Sequence, residues 1–345
     1  MFKFEKEQTV HDFNGTKIGG QPGEYPRVLG ASIFYNKHET VIDDMKGIID
    51  KDRAEALWNR CQELSDQTGI KHFIQIISES GEAFESYFSW FDSIDNKTAF
   101  LMDSSEPAAL AHACEYVTEV GLADRAIYNS INGSILPENM EALKNSDVNA
   151  AIVLAFNPGD PTVKGREAVL AEGGVAGQAK GMLEIAEDCG ITRPILDTAA
   201  TPLGLGSGGT YREILACKAI HGLPTGGAYH NMTVSWTWLK RWRGTKKTPS
   251  VLVSQYEGKD LLLEQMSLHH FGGMEGIKQT AWAAPDIGCN MMAATLGADL
   301  IMYGPIENCE GAMTSIAFVD IVLAEAAKDL GVMVAAEDHP LFKLV

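Results

Sequence analysis

The sequence predicts an α/β protein of one domain with the fold of a (β/α)8 TIM barrel. Eight short apolar runs alternate with longer amphipathic stretches, and this alternation is typical of a parallel sheet covered by helices. No linker or break in composition divides the 345 residues, so we expect one domain over residues 1–345. An open, doubly wound sheet is the alternative for the same order of elements.

The predicted strands are the apolar runs themselves. They span residues 27–34, 72–78, 98–104, 125–131, 149–156, 193–199, 222–229 and 298–304. The run 222–229 is the weakest of the set because it contains Gly and Pro, which strands disfavour. Eight units of strand and helix are the number that closes a barrel of this type.

Helices are predicted between the strands, where apolar residues recur with helical spacing. They cover residues 52–68, 107–120, 176–189 and 211–221, and the long connection 230–297 is predicted to carry helices at 234–243, 261–269 and 286–296. Residues 1–26 precede the first strand, and their Gly and Pro content indicates turns. We expect this segment to lie as a strand or cap over one end of the barrel.

Charge and composition exclude several classes of function. The formal charge of −18 argues against general binding of nucleic acid and weakens adsorption to anionic membranes. The charged amino terminus lacks a signal peptide core, and no apolar run reaches the length of a bilayer. The six cysteines show no CxxC and no zinc-ligand spacing, so we expect free thiols, a cytoplasmic location and no metal site.

Four polar residues stand at or just after the ends of predicted strands, where a (β/α)8 barrel carries its functional groups. They are Asp103, Asn129, Asp197 and Asn231. A carboxylate accepts two hydrogen bonds, which matches a ring that presents an exocyclic amine beside a ring N–H. A carboxamide both donates and accepts. The set therefore favours a nitrogen-rich ring ligand over hydrolysis.

Local structure offers a second explanation for the same residues. Asp103 precedes the predicted helix 107–120 and is a residue type that caps helices. Asn129 and Asn132 lie together in a stretch that suits a turn. Single positions do not separate these explanations from ligand binding.

A glycine-rich segment follows the sixth predicted strand. Residues 204–209 formally match GxGxxG, but no acidic residue follows at the distance of the dinucleotide-binding fingerprint, and the GK[ST] of a P-loop is absent. We interpret Gly204, Gly206, Ser207 and Gly208 as a flexible loop at the barrel mouth that closes over a bound ligand.

Three phrases carry a resemblance to a known family. The segments KIGGQPGEYP, AFLMDSS and EVGLADRAIYNSING resemble the family of the H subunit of tetrahydromethanopterin S-methyltransferase. That family has bacterial relatives that move methyl groups between a corrinoid and tetrahydrofolate. It belongs to the pterin-binding methyltransferases, which are similar in fold to dihydropteroate synthase. The resemblance covers most of the chain and is strongest over residues 15–135.

The resemblance implies a role for each strand-end residue. Asp103, Asn129 and Asp197 match the positions that bind the pterin ring. Asn231 matches an asparagine near the methylated nitrogen, which makes it the expected catalytic residue and a fourth pterin-binding residue. It also implies methyl transfer between a corrinoid, free or carried by a partner protein, and N5 of a pterin. The glycine-rich loop would then close over the pterin or the corrinoid. A homodimer is a further implication. Holding both cofactors in position should supply most of the rate.

Alternatives remain for the reaction. We expect tetrahydrofolate as the pterin because no segment suggests docking to a membrane complex, and a tetrahydromethanopterin-dependent subunit of a larger complex is the alternative. A non-catalytic pterin-binding or assembly subunit is another. A condensation like that of dihydropteroate synthase would need residues that bind diphosphate, but the acidic segment YGPIENCEG follows the last strand. The basic, aromatic run 236–247 either ends a helix or binds an acidic partner.

Overall fold

A closed barrel of eight parallel strands forms the centre of the molecule in the computed structural model, which describes residues 2–240 and 273–345. In chain order the strands are β1 (Val10–Phe13), β2 (Thr16–Gly19), β3 (Val28–Ile33), β4 (Val41–Asp43), β5 (Ile48–Ile49), β6 (Lys71–Ile77), β7 (Phe100–Asp103), β8 (Ala126–Ile131), β9 (Ala150–Leu154), β10 (Arg193–Asp197), β11 (Thr225–Gly227) and β12 (Leu300–Pro305). The barrel consists of β3 and β6 to β12, while β1–β2 and β4–β5 are antiparallel hairpins outside it.

Helices surround the barrel. They are α1 (Lys51–Thr68), α2 (Gly81–Ile94), α3 (Pro107–Glu119), α4 (Pro137–Lys144), α5 (Val163–Ala171), α6 (Met182–Asp188), α7 (Ser207–Ile220), α8 (Asn231–Ser235), α9 (Thr237–Lys240), α10 (Gly273–Thr295), α11 (Cys309–Lys328) and α12 (Pro340–Leu344). No helix within residues 2–240 and 273–345 combines the length and apolar character that crossing a bilayer requires.

Each of the eight predicted strands corresponds to a barrel strand, so the predicted (β/α)8 fold is confirmed. The open-sheet alternative is wrong, because the last strand pairs with the first along Leu300↔Val28 and Ile301↔Leu29 and closes the barrel. Strand β11 is only three residues long, which agrees with its weak sequence signal. A Cβ at Gly226 would lie 2.3 Å from the Leu300 carbonyl oxygen, so glycine is required where β11 packs against β12.

The barrel strands are buried on both faces, which explains why their sequences are continuously apolar. Alternate residues such as Val28, Phe73 and Leu300 fill the barrel interior. Their neighbours, such as Leu29 and Ile74, pack outward against the helices. Two apolar layers therefore stabilise one barrel.

The predicted helices agree with the structure to different degrees. Helices α1 and α3 match the predictions 52–68 and 107–120 within one residue at each end. The prediction 176–189 is wrong in its first half, because Gly174, Ala176 and Gly177 have positive φ angles and α6 begins only at Met182. The predicted helix 286–296 is the end of α10, and 234–243 divides into α8 and α9 as far as residue 240. The prediction 261–269 lies outside the described residues.

The β1–β2 hairpin lies across the amino-terminal ends of the barrel strands. Thr9 N donates a 2.7 Å hydrogen bond to the Gly222 carbonyl, just before β11. The Phe13 ring packs on Phe73 inside the barrel with ring centroids 5.5 Å apart, and the Arg193 guanidinium lies 4.4 Å above Phe13. Apolar and cation–π contacts thus close this end of the barrel. The opposite end is left for a ligand.

Candidate active site

The carboxyl-terminal ends of the barrel strands surround a cavity of about 260 Å³. All four strand-end residues selected from the sequence line it: Asp103, Asn129, Asp197 and Asn231. They come from β7, β8, β10 and the first residue of α8, so the barrel brings together residues that are far apart in sequence.

Asp103 is the last residue of β7 and is held by a chain of polar side chains. Gln75 Nε2 donates to Asp103 Oδ2, and Ser32 Oγ donates a 2.7 Å hydrogen bond to Gln75 Oε1. Burial raises the pKa of Asp103 to about 6, against the opposing effect of the Gln75 hydrogen bond. The capping explanation fails for this residue, because Glu106 occupies the N-cap position of α3.

Asp197 ends β10 and is only 7% exposed. Its Oδ1 accepts a 2.8 Å hydrogen bond from Ala199 N, which fixes the start of the following loop. Burial raises the pKa of Asp197 to about 6; the Ala199 hydrogen bond and the Arg166 charge oppose this shift, while the Asp103 charge adds to it. Two carboxyl groups of raised pKa therefore face one cavity.

Asn129 and Asn132 have different roles despite their proximity in sequence. Asn129 lies within β8, pairs in register with Asp103, and lines both the central cavity and a neighbouring cavity of about 300 Å³. Asn132 Oδ1 instead accepts a 2.9 Å hydrogen bond from Ser134 N. The turn explanation thus applies to Asn132, which also borders the neighbouring cavity, while Asn129 lines both cavities.

Asn231 lies at the rim of the cavity, where it begins α8 and is exposed. The preceding residue, His230, anchors this segment through a 3.0 Å contact between its Nδ1 and the carbonyl oxygen of Met302. Asn231 N donates a 3.0 Å hydrogen bond to the Ala228 carbonyl. The backbone of Asn231 is therefore held in place, and its carboxamide is accessible from outside.

The glycine-rich segment is only partly a loop. Gly204 lies in the loop after β10 and Gly206 is the N-cap of α7, whereas Ser207 and Gly208 form the first turn of that helix. The loop prediction is wrong for Ser207 and Gly208, because the left-handed conformation of Gly206, with a φ of 98°, allows α7 to begin directly after it.

The loop between β10 and α7 is held from below by Arg166, which is 1% exposed. Arg166 Nη1 donates a 2.7 Å hydrogen bond to the Ala199 carbonyl, and Nη2 donates to Thr201 Oγ1 at 3.3 Å. The apolar side chains of Leu203 and Leu205 remain exposed on the same loop. A closing movement of this loop stays a prediction.

Sequence reasoning missed Gln75 and Met302, which also line the cavity. Gln75 interrupts the apolar run HFIQIIS and is 6% exposed, so a polar residue inside a buried strand was the available signal. Nothing in the sequence pairs it with Asp103 and Ser32, because that contact spans three strands.

The architecture and the cavity together indicate a class of protein: a (β/α)8 barrel with carboxylates and carboxamides around its mouth. The chain is similar in structure to the dihydropteroate synthase of Xanthomonas albilineans, with a TM-score of 0.52, 14% identity and coverage of 92% of this chain and 98% of that chain. The enzyme of Yersinia pestis gives a TM-score of 0.52 at 13% identity, covering 93% of this chain and 100% of that one. At such identity the likeness shows a shared fold.

Sequence comparison gives the family. The model of the family "Tetrahydromethanopterin S-methyltransferase MtrH subunit" matches residues 6–335. The chain is 46% identical over 345 residues, 100% of both chains, to the H subunit of tetrahydromethanopterin S-methyltransferase from Methanosarcina acetivorans. It is 42% identical over 346 residues, again 100% of both, to the one from Methanothermobacter marburgensis. The chain belongs to this family of H subunits and is a methyltransferase, which confirms the resemblance found in the sequence.

Proposed function

We propose that this chain transfers a methyl group between a corrinoid and N5 of tetrahydromethanopterin, as one subunit of a larger assembly. Relatives that are 46% identical over the whole chain carry the name of that enzyme's H subunit, which supports this choice of pterin. The tetrahydrofolate expected from the sequence rested only on the lack of a recognisable docking segment. The folate reaction therefore becomes the second candidate.

The convergence of four polar side chains on one cavity is the observation that carries the proposal. The amino-pyrimidinone edge of a reduced pterin presents an exocyclic amine and a ring N–H. Asp103 and Asp197 offer carboxylate oxygens that accept such donors, and charge-assisted hydrogen bonds of this kind are strong. Hydrogen bonds from a bound pterin would offset the free-energy cost of burying the two carboxyl groups and the repulsion between their charges.

The corrinoid supplies the cobalt that carries the methyl group. The central cavity, at about 260 Å³, suits one bicyclic ring, and a corrin macrocycle is too wide to enter it. We therefore assign the corrinoid to the open face of the barrel mouth. The side chains of Phe156, 45% exposed, and Leu205, 66% exposed, provide apolar surface that suits contact with such a ring.

Asn231 is the proposed catalytic residue because its carboxamide lies at the cavity rim, between the pterin site and the open face. N5 leaves well only when it is protonated and attacks well only when its lone pair is free. A carboxamide accepts a hydrogen bond from protonated N5 and donates one to the free lone pair. Asn231 can therefore keep a hydrogen bond to N5 both before and after the methyl group is transferred.

The test follows the corrinoid absorption spectrum. Methylcobalamin, free or bound to a corrinoid protein, is mixed with the purified chain and either tetrahydromethanopterin or tetrahydrofolate. We expect loss of the methylated corrinoid with tetrahydromethanopterin and a slower change with tetrahydrofolate. A faster reaction with tetrahydrofolate would return the folate reaction to first place. Pterin binding without spectral change under any condition would reject the catalytic proposal in favour of a binding subunit.

Assembly with other subunits is proposed for this chain because its relatives are named as subunits. A corrinoid protein is the proposed partner at the barrel mouth. The homodimer and the cytoplasmic location stay predictions. Most of the basic run 236–247 lies outside the described residues, so its role in partner binding also stays a prediction.

A further inference from the structure

A second polar cluster lies between helices α5 and α7, in the outer layer of the barrel. Glu167 comes from α5, and Glu213 and Cys217 come from α7. One oxygen of each glutamate and the Cys217 sulfur all lie within 4.8 Å of one another. None of these residues lines the central cavity at the barrel mouth. The cluster is therefore separate from the candidate active site.

Helical spacing builds one side of this cluster. Glu213, Cys217 and His221 follow one another at intervals of four residues, so they share one face of α7 and its carboxyl-terminal cap. Glu167 faces them from α5, and His221 Nε2 lies 2.8 Å from Glu167 Oε2. The Cys217 sulfur lies 3.8 Å from Glu167 Oε1 and 3.7 Å from Glu213 Oε1.

The burial of this cluster makes its composition unusual. Glu213 and Cys217 are both 0% exposed. Glu213 Oε2 is buried and has no hydrogen-bond partner among the residues that the structure describes. Leaving such an oxygen unpaired in the interior is costly, and placing a second carboxylate beside it adds repulsion.

The nearest guanidinium does not relieve this cost by a direct hydrogen bond. Arg166 directs its donors to the carbonyl oxygens of Pro161, Thr198, Ala199 and Gly206 and to the hydroxyl of Thr201. Those contacts hold the loop after β10. The cluster consequently presents two carboxyl groups and a thiol to one another. In the described part of the chain Glu167 has a basic partner, His221, whereas Glu213 and Cys217 have no hydrogen bond to a basic side chain.

We propose that Glu167, Glu213 and Cys217 bind one divalent transition-metal ion, with His221 orienting Glu167. Carboxylate oxygen and thiolate sulfur together are a ligand set for zinc-like ions, since a thiolate is a soft ligand that magnesium and calcium disfavour. A histidine bonded to a ligating carboxylate is a common outer partner at metal sites. On binding, the Cys217 thiol loses its proton to solvent and a metal–sulfur bond forms.

The ion would join α5 to α7 beneath the loop that Arg166 holds. Each helix contributes a ligand, so the ion would act as a cross-link between neighbouring units of the barrel. The Glu167 and His221 side chains are 16% and 14% exposed, which leaves a route from solvent to the buried ligands.

The experiment titrates the full-length chain, prepared without a histidine tag and stripped by a chelator, with Co²⁺ and then Zn²⁺. We expect one Co²⁺ per chain, a thiolate-to-cobalt charge-transfer band in the near ultraviolet, and loss of that band when Zn²⁺ is added. Absence of the band together with absence of stoichiometric binding of either ion overturns the proposal. This readout does not depend on methyl transfer.

Substitutions of single residues test which side chains bind the metal ion. Cys217→Ala should remove the charge-transfer band, while Cys114→Ala, which changes another fully buried thiol on α3, should keep it. His221→Ala should weaken the affinity for Co²⁺ about 10- to 100-fold, as expected for an outer partner of a ligand. Survival of the band in Cys217→Ala overturns the assignment. If Cys217→Ala does not fold, Glu167→Gln, whose side chain is partly exposed, tests the same site and should weaken binding at least about tenfold.

Discussion

Aspartates at the two ends of the barrel differ in what pairs with them. At the amino-terminal end, Asp299 Oδ2 lies 2.7 Å from Lys218 Nζ and also accepts a 2.9 Å hydrogen bond from Thr225 N. At the carboxyl-terminal end, Asp103 and Asp197 accept hydrogen bonds from neutral groups, Gln75 and the Ala199 backbone. At the amino-terminal end the chain itself supplies the cation that pairs with the aspartate. At the carboxyl-terminal end the carboxylate oxygens can accept further hydrogen bonds from a ligand.

The largest effect should come from breaking the pair at the amino-terminal end. Lys218→Ala leaves the Asp299 carboxylate buried without its cation, so we expect the free energy of unfolding to fall by about 3–5 kcal/mol. Denaturant unfolding measures it. Lys180→Ala is the control, because its ion pairs with Glu184 and Asp188 are exposed to solvent and should contribute far less to stability. Equal losses of unfolding free energy in both variants would mean that the buried pair of Lys218 and Asp299 is no more important than an exposed ion pair.

Asn231→Ala should lower the rate of methyl transfer without changing the stability of the fold. Its carboxamide lies at the rim of the cavity and is exposed, so its removal should leave the fold intact and lower kcat about 100-fold. The Kd for the pterin should change by less than about threefold, because the charged acceptors remain. Single-turnover kinetics with a binding titration separate the two effects. A larger change in binding than in rate would mean that Asn231 only binds the pterin and does not act in catalysis.

Asp197→Asn tests whether the mouth is built for a ligand. The variant keeps an oxygen for the Ala199 N–H but loses the charge, so pterin binding should weaken by about 1.5–3 kcal/mol. The free energy of unfolding should stay the same or rise, because a buried carboxyl beside Asp103 is removed. Calorimetry and unfolding curves measure the two quantities. The exposed variant Asp147→Asn should change neither.

The two raised pKa values at the barrel mouth also predict a dependence of stability on pH. The pKa values of Asp103 and Asp197 are each about 6, above the ordinary value of 3.8, so the folded chain holds protons that the unfolded chain has released. Stability contributed by the protonated carboxyls is therefore present below about pH 4 and is lost as pH rises through 6, by up to roughly 3 kcal/mol for each carboxyl.

A double variant isolates that contribution. The difference in unfolding free energy between wild type and Asp103→Asn/Asp197→Asn should fall between about pH 4 and 7 and then stay constant. Saturating pterin should reduce this fall, because ligand donors favour the ionised carboxylates. A pH-independent difference would mean that the two carboxyls are not perturbed in the folded chain.

The structure supports some sequence predictions better than others for physical reasons. Helix α1 was predicted closely because its signals are local: Asp50 accepts a hydrogen bond from Arg53 N at its start, and Gly69 ends it in the left-handed conformation. The helix predicted at 176–189 failed in part because its composition suited a helix while its glycines suited turns. Local composition does not show whether the helix-forming residues or the turn-forming glycines determine the structure of such a segment.

Patterns along the chain were enough to predict the barrel and the four residues at its mouth. Continuous apolar strands alternating with helices require a covered parallel sheet, and polar residues at strand ends converge wherever such a sheet closes. The folded molecule was needed to show that Gln75 supports Asp103, that Ser207 and Gly208 belong to a helix, and that Glu167 faces Glu213 and Cys217. Those contacts depend on packing between distant segments, which the spacing of residues along one chain does not encode.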